Sequence, residues 1–448
     1  MRFGAFTLFL ISVFSSAGLC QGVLSGRPRW DGVLTLEEAV QIALKESPFI
    51  RGAEAEWRAA QQRIFTALAE RKFQSSLSVF SGTGRATPIL SSPESVTPIH
   101  WTSGPGRSFS TVMVAGMWTL YSGRRLESLV DQARLLEKAS QADKEAVRLR
   151  VALETRLAFR KALLAHELVT VAEAHLRALE ELVRVDRERA QVGKIPEFWV
   201  LRSEAEMATA QQGLVSAKKD LEIALINLKA LMGVHPDSSV SVKGDLASEK
   251  ISLSRSQLLE LALRERPEVL AASFRFQSHL KALSAAKALY RPQISLMVVT
   301  ERMWGSGTVP STNAFIGLVA AVPISDGGRR KSLIKEQELV SEKARYEQDQ
   351  IILTVVAEVD AALRELEAAA QNVTTAQTAL KAAEKEFRVA TVRYEAGRSI
   401  LVEYLDSLSS YVRAQTNLAV ALYEQATAFD RLLKATGRLA DARGILSR

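Results

Sequence analysis

Few side chains in this chain are spaced for bond-making chemistry. The five histidines, His100, His166, His175, His235 and His279, are scattered along the sequence. None falls in a His-Glu-x-x-His pair or a ligand cluster, and a zinc site needs three or four donors brought together. There is no Gly-x-x-x-x-Gly-Lys-Ser/Thr loop, so nucleotide hydrolysis is not expected. Gly327-Gly328 lies between a strand-like and a helix-like stretch, as a phosphate turn would. Arg329-Arg330 follow it, however, and no β-α-β unit surrounds it. No arrangement of Ser, His and Asp is legible. The expectation is a protein that is not an enzyme and has no metal or cofactor. What remains is charge, including the carboxylates Glu403 and Asp406. Taken alone, they read as ordinary exposed carboxylates. Cys20 is the single cysteine, so no intramolecular disulfide can form. It is a candidate for lipid attachment, disfavoured by Leu19, which stands where a small residue is expected.

The elements that would carry these residues come in duplicate. Leu34-Thr35-Leu36-Glu37-Glu38-Ala39 through Pro48 returns at Leu253 through Pro267, an offset of 219. Farther along, Gly123, Arg125, Gly193 and Gly233 return at Gly327, Arg329, Gly397 and Gly437, an offset of 204. A repeat this long is a duplicated architectural unit rather than a solenoid module. The expected boundaries are a first repeat over 34–233, a linker over 234–250, a second repeat over 251–437 and a tail over 438–448. Each copy reads as helix, strand, strand, very long helix, turn, long helix. Thr35 and Glu38 resemble a capping box, and Pro48 punctuates the helix it opens. From Gly123 to Gly193 and from Gly327 to Gly397 there is no proline. A helix filling either interval would be roughly 105 Å long, more than a single globular domain needs. Ile352, Val356, Val359, Leu363, Leu366, Ala370, Val373, Ala376, Leu380, Ala383, Phe387, Ala390 and Tyr394 recur mostly in steps of four and three, which predicts a packed seam. The fold class expected is mainly α with a small β part.

The strands are predicted near 76–80 and 108–121 in copy one and near 294–302 and 313–325 in copy two. Val112, Val114, Trp118 and Leu120 correspond to Ile316, Leu318, Val322 and Ile324, all apolar and all of one parity. Strand side chains alternate between faces, so both copies present the same apolar face. Such a face suits a membrane barrel; a sheet packed on a soluble core is the alternative. The 15-residue difference between the two offsets falls in the loop between strands.

The formal charge of +8 in 448 residues does not point to nucleic acid. Basic and acidic residues are interleaved along the helices, as in Arg184-Val185-Asp186-Arg187-Glu188-Arg189, which reads as solvated helix face. Residues 1–20 carry one early arginine, an apolar run from Phe6 to Phe14 and then small residues, the pattern of a signal peptide. Outside it no window holds 18 uninterrupted apolar residues, so no transmembrane helix is expected.

The Leu-Thr-Leu-Glu-Glu-Ala opening, the Gly327-Gly328-Arg329 turn after the second strand, the Tyr394-Glu395-Ala396-Gly397 turn and the terminal Leu-x-x-x-x-Gly follow one another in a doubled order. Over about residues 34–437 the chain resembles the TolC-type outer membrane efflux proteins. The resemblance implies a homotrimer in which each copy gives four strands to a shared barrel of twelve in outer membrane lipid. Long helices then form an α-barrel across the periplasm. It implies that Gly193 and Gly397 mark tips where a periplasmic membrane-fusion adaptor docks, and that an inner-membrane transporter, of RND or ABC type, supplies the energy. Glu403 and Asp406 match acidic residues that narrow the closed entrance, and Tyr394 matches a tyrosine that helps latch the helices. Departures are Ser399, where the pattern often has arginine (Arg398 is adjacent), Trp199 in place of an aspartate, and Arg124 in place of a second turn glycine. The functional expectation is the exit duct of a tripartite efflux or type I secretion system. The rival expectation is a secreted or periplasmic coiled-coil scaffold or adhesion protein.

Overall fold

The computed structural model describes residues 27–84, 107–246, 253–305 and 310–439. The expected signal segment and Cys20 lie outside these residues. In chain order the elements are β1 (Gly32–Leu34), α1 (Leu36–Glu46), α2 (Pro48–Ala69), β2 (Gln74–Gly84), β3 (Arg107–Tyr121), α3 (Arg125–Gln191), α4 (Glu197–Met232), β4 (Val240–Val242), α5 (Arg255–Glu265), α6 (Pro267–Lys287), β5 (Gln293–Gly305), β6 (Ser311–Ala321), α7 (Arg329–Glu395) and α8 (Leu401–Ala435).

Local chemistry explains the helix boundaries. The Thr35 hydroxyl accepts from the Glu38 amide, and the Glu38 carboxylate accepts from the Thr35 amide at 2.9 Å, which opens α1. Ser254 and Gln257 repeat the box at α5. Pro48 and Pro267 each occupy the first position of the following helix, where a missing N–H costs nothing. The long helices α3 and α7 have 67 residues each. Every residue of the predicted α7 seam is buried or half-buried.

The chain divides into two units. One comprises residues up to Glu54, Asp143–Val269 and the chain from Ile352 onward. Its core joins Leu34, Ala39 and Ala43 to Val151, Phe159, Leu228 and Met232. Full burial of the larger of these side chains contributes roughly 1.5–3 kcal/mol each. The start of the first repeat and the linker meet in a short strand pair in this unit: β1 pairs in parallel with β4, Leu34 opposite Val242. Asp430 of α8 is fully buried and receives Arg156 Nε at 2.7 Å and Arg160 Nε at 2.5 Å from α3. A buried carboxylate of this kind is tolerated because both guanidiniums face it.

The second unit comprises Ala55–Ala142 and Leu270–Ile351. Its sheet is antiparallel throughout, in the order β2-β3-β5-β6, so the β3–β5 pairing joins the two copies of the repeat. One predicted strand is too long. β6 stops at Ala321, because Pro323, which stands where copy one has Thr119, has no N–H for a sheet ladder. Val322 and Ile324 therefore follow the strand rather than belong to it, although both are exposed.

Candidate functional site

Two features could serve a function, one in each unit. The first is the apolar face of the sheet. Direct partners in an antiparallel pair share a face, and the register places Leu77 opposite Val114, Val79 opposite Val112, Trp118 opposite Leu296, Gly116 opposite Val298, Leu296 opposite Leu318 and Val298 opposite Ile316. Four strands thus contribute to one largely apolar face of the parity read in the sequence. Val114, Trp118, Leu120, Ile316 and Leu318 are exposed, Ile316 to 72%, and Val112 is half-buried. Leu120 sits at a register shift between Thr119 and Tyr121. The opposite face carries Ser76, Ser78, Thr111, Glu301 and Asn313.

The second feature lies where the helical hairpins turn. Helix α3 ends at Gly193, whose amide donates to the Ala190 carbonyl while the Lys194 amide donates to that of Arg189. Helix α7 ends identically: Gly397 to Tyr394, Arg398 to Arg393. Both are Schellman turns, with glycine φ of 69° and 70°. Beside them Leu179, Leu182, Ala210, Tyr394, Leu401, Tyr404 and Leu408 form one buried cluster. Phe387 stacks on Tyr411 at 5.4 Å, and Tyr394 and Tyr404 rings lie 5.2 Å apart.

Within this cluster the Tyr394 hydroxyl donates to Asp186 Oδ1 at 2.5 Å. Asp186 is fully buried and Tyr394 is 3% exposed. Arg189 donates to the carbonyls of Tyr394 (3.1 Å) and Glu395 (2.9 Å) and places its guanidinium over the Tyr394 ring. It thereby adds charged donors to carbonyls at the negative end of α7, where the Tyr394 carbonyl also accepts from the Gly397 amide. Burial raises the Asp186 carboxyl above the usual carboxylate range, with Tyr394, Ser203 and Arg189 pulling it back. Burial, followed by the Asp186 carboxylate, pushes the Tyr394 hydroxyl up. Tyr404 is pushed up to about 12, mainly by burial.

Glu403 sits at the start of α8, accepting from Arg393 Nη1 at 2.9 Å and Ser399 Oγ at 2.6 Å. Ser399, a departure from the expected arginine, thus still holds this carboxylate. Asp406 is exposed one turn farther on. Trp199, the other departure, packs against the Tyr394 cluster.

The structure brings Tyr394 into contact with two residues that charge patterning assigns to a solvated face, Asp186 and Arg189. Arg184 and Arg187 of that run are solvated, but Asp186 is not. A signal for its burial exists in the sequence: Asp186 follows Leu179, Leu182 and Val183 at seam spacing, with all three buried.

The chain is 26% identical over 62% of its length to the outer membrane efflux protein BepC of Brucella suis biovar 1, and the match spans 61% of that protein. It is 25% identical to the cobalt-zinc-cadmium resistance protein CzcC of Cupriavidus metallidurans, over 69% of this chain and 74% of the relative. Its fold is that of the crystal structure of the outer membrane protein VceC from Vibrio cholerae, with a TM-score of 0.72 at 21% identity over 90% of this chain and 96% of the other. The family model described as outer membrane efflux protein matches residues 39–234 and 258–438. With both halves of the duplication matched, the chain belongs to the outer membrane efflux protein family.

Proposed function

We propose that the protein is a passive conduit: the outer-membrane exit duct of a tripartite efflux or type I secretion system, extending into the periplasm. The observation that carries this reading is the sheet. It has an exposed apolar face, and its outer strands β2 and β6 each have one sheet partner among the described residues. Unpaired N–H and C=O groups along a strand are costly in lipid, where only a closed barrel satisfies them. Closure then requires β6 of one copy to pair with β2 of the next. Three copies give the twelve strands that the family resemblance implies.

In this reading Val112, Val114, Trp118, Leu120, Ile316 and Leu318 face lipid, and the helical hairpins line the periplasmic passage. Gly193 and Gly397 are the tips that meet a membrane-fusion adaptor, and an RND or ABC transporter in the inner membrane supplies energy and selects cargo. Tyr394, Asp186 and Arg189 hold one hairpin to the other when the passage is closed. Three copies of Glu403 and Asp406 around an axis form acidic rings, which favour cations and oppose their own crowding. Opening is a repacking of helices, with no covalent step.

The test is stoichiometry. Purified in detergent, the full chain is expected to have the mass of three copies and to resist dissociation by SDS. A monomer that stays soluble without detergent is the scaffold outcome and rejects the duct.

A further inference from the structure

The apolar face of the sheet is interrupted by charge at one position only among its described strand residues. Arg302 of β5 shares that face, opposite Val112 on β3 and Thr312 on β6. It is exposed, and among the described strand residues of this face none is acidic. Beyond it on the same face Trp304 stands opposite Ser110. On the other side, the rows of Leu296, Val298 and their partners are apolar. From the Leu296 row to Arg302 is six residues, about 20 Å of strand. Aromatic residues also mark the far limit: the Trp118 indole donates to the Arg71 carbonyl at 2.9 Å, and the Phe73 ring lies over Gly116. The face is therefore an apolar band with an aromatic at each limit, the pattern of a surface spanning a bilayer from one interface to the other.

The connections give the band a direction. At the Trp118 limit the strands continue into α2, α3 and α6; at the Arg302 limit β5 and β6 join by a hairpin. If the helices are periplasmic, the Arg302 limit is the external one. An exposed arginine is destabilising at mid-bilayer and tolerated at the interface. Its planar fork matches phosphate oxygens better than a lysine would. We infer that Arg302, with Trp304 beside it, is a docking point for the phosphate of an outer-leaflet glycolipid of the lipid A type. This inference rests on the duct reading above.

The experiment uses the purified full-length protein in detergent and follows its thermal unfolding midpoint. Bis-phosphorylated lipid A is expected to raise the midpoint, and dephosphorylated lipid A or inorganic phosphate to raise it much less. Arg302→Gln is expected to lose most of the lipid A effect and Arg302→Lys to keep part of it, while both conduct like the wild type in a neutral phosphatidylcholine bilayer. An undiminished lipid A effect in Arg302→Gln, or an equal effect of the dephosphorylated lipid or of inorganic phosphate, would overturn the assignment. A wild-type chain that fails to conduct in the neutral bilayer would instead overturn the duct reading beneath it.

Discussion

Asp186 is a buried carboxylate that accepts from the Tyr394 hydroxyl, and in the latch proposed above this makes it responsive to pH. Its carboxyl is raised chiefly by burial, so the closed arrangement holds a proton more tightly than an opened, hydrated one. The resulting preference for closure is complete below the ordinary aspartate range, about 4, and fades as pH rises through the raised value. Lowering the pH from neutrality should therefore reduce open probability in single-channel recordings. Asp186→Asn should flatten that dependence, and an unchanged pH profile in the variant would remove Asp186 from the latch. Tyr394→Phe leaves the buried carboxylate without its hydroxyl donor. At about 2 kcal/mol, the closed-to-open ratio should fall roughly 30-fold. At the acidic positions the geometry separates two residues that look equivalent in sequence. Glu403 is tied to Arg393 and Ser399, whereas Asp406 is exposed. Asp406→Ala should relieve divalent-cation block more than Glu403→Ala, and the double variant more than either. Unchanged block in all three would take both carboxylates out of the entrance. Tyr394 is singled out in the sequence through the family resemblance of the Tyr394-Glu395-Ala396-Gly397 turn. Its partner is not, because an aspartate amid arginines and glutamates looks solvated unless the seam is counted through it.

At the scale of elements, periodicity and punctuation carry most of the fold. The proline-free intervals hold two helices of equal length, and Thr35 with Glu38 opens α1 as capping predicts. The error at Val322 and Ile324 comes from extending copy one's parity across Pro323, where the second copy cannot continue the ladder. The short β1–β4 pair is illegible because three residues carry too little alternation to stand out. The tip turns are the elements most open to test. Gly397 takes a φ of 70°, with open space where a Cβ would project. A valine there meets backbone strain rather than crowding, of the order of 1–2 kcal/mol. Gly397→Val should impair pump-dependent export while trimers still assemble. Normal export by the variant would argue against a docking role for that tip.

At the scale of the molecule, a four-stranded sheet with open edges among the described residues and two long helical hairpins leave a single chain incomplete. The apolar face has no partner layer among the described residues, and β2 and β6 each have an unpaired side. Lipid outside and sister strands at either edge would satisfy both needs together. The family model matches both halves of the doubled chain, residues 39–234 and 258–438, and on the proposed reading cargo is set by the inner-membrane partner rather than by this duplication. The most direct measurement is ion conductance of the purified trimer in a planar lipid bilayer. Discrete, long-lived single-channel steps that depend on the trimer are the predicted result. A silent bilayer in the presence of correctly folded protein would contradict the account.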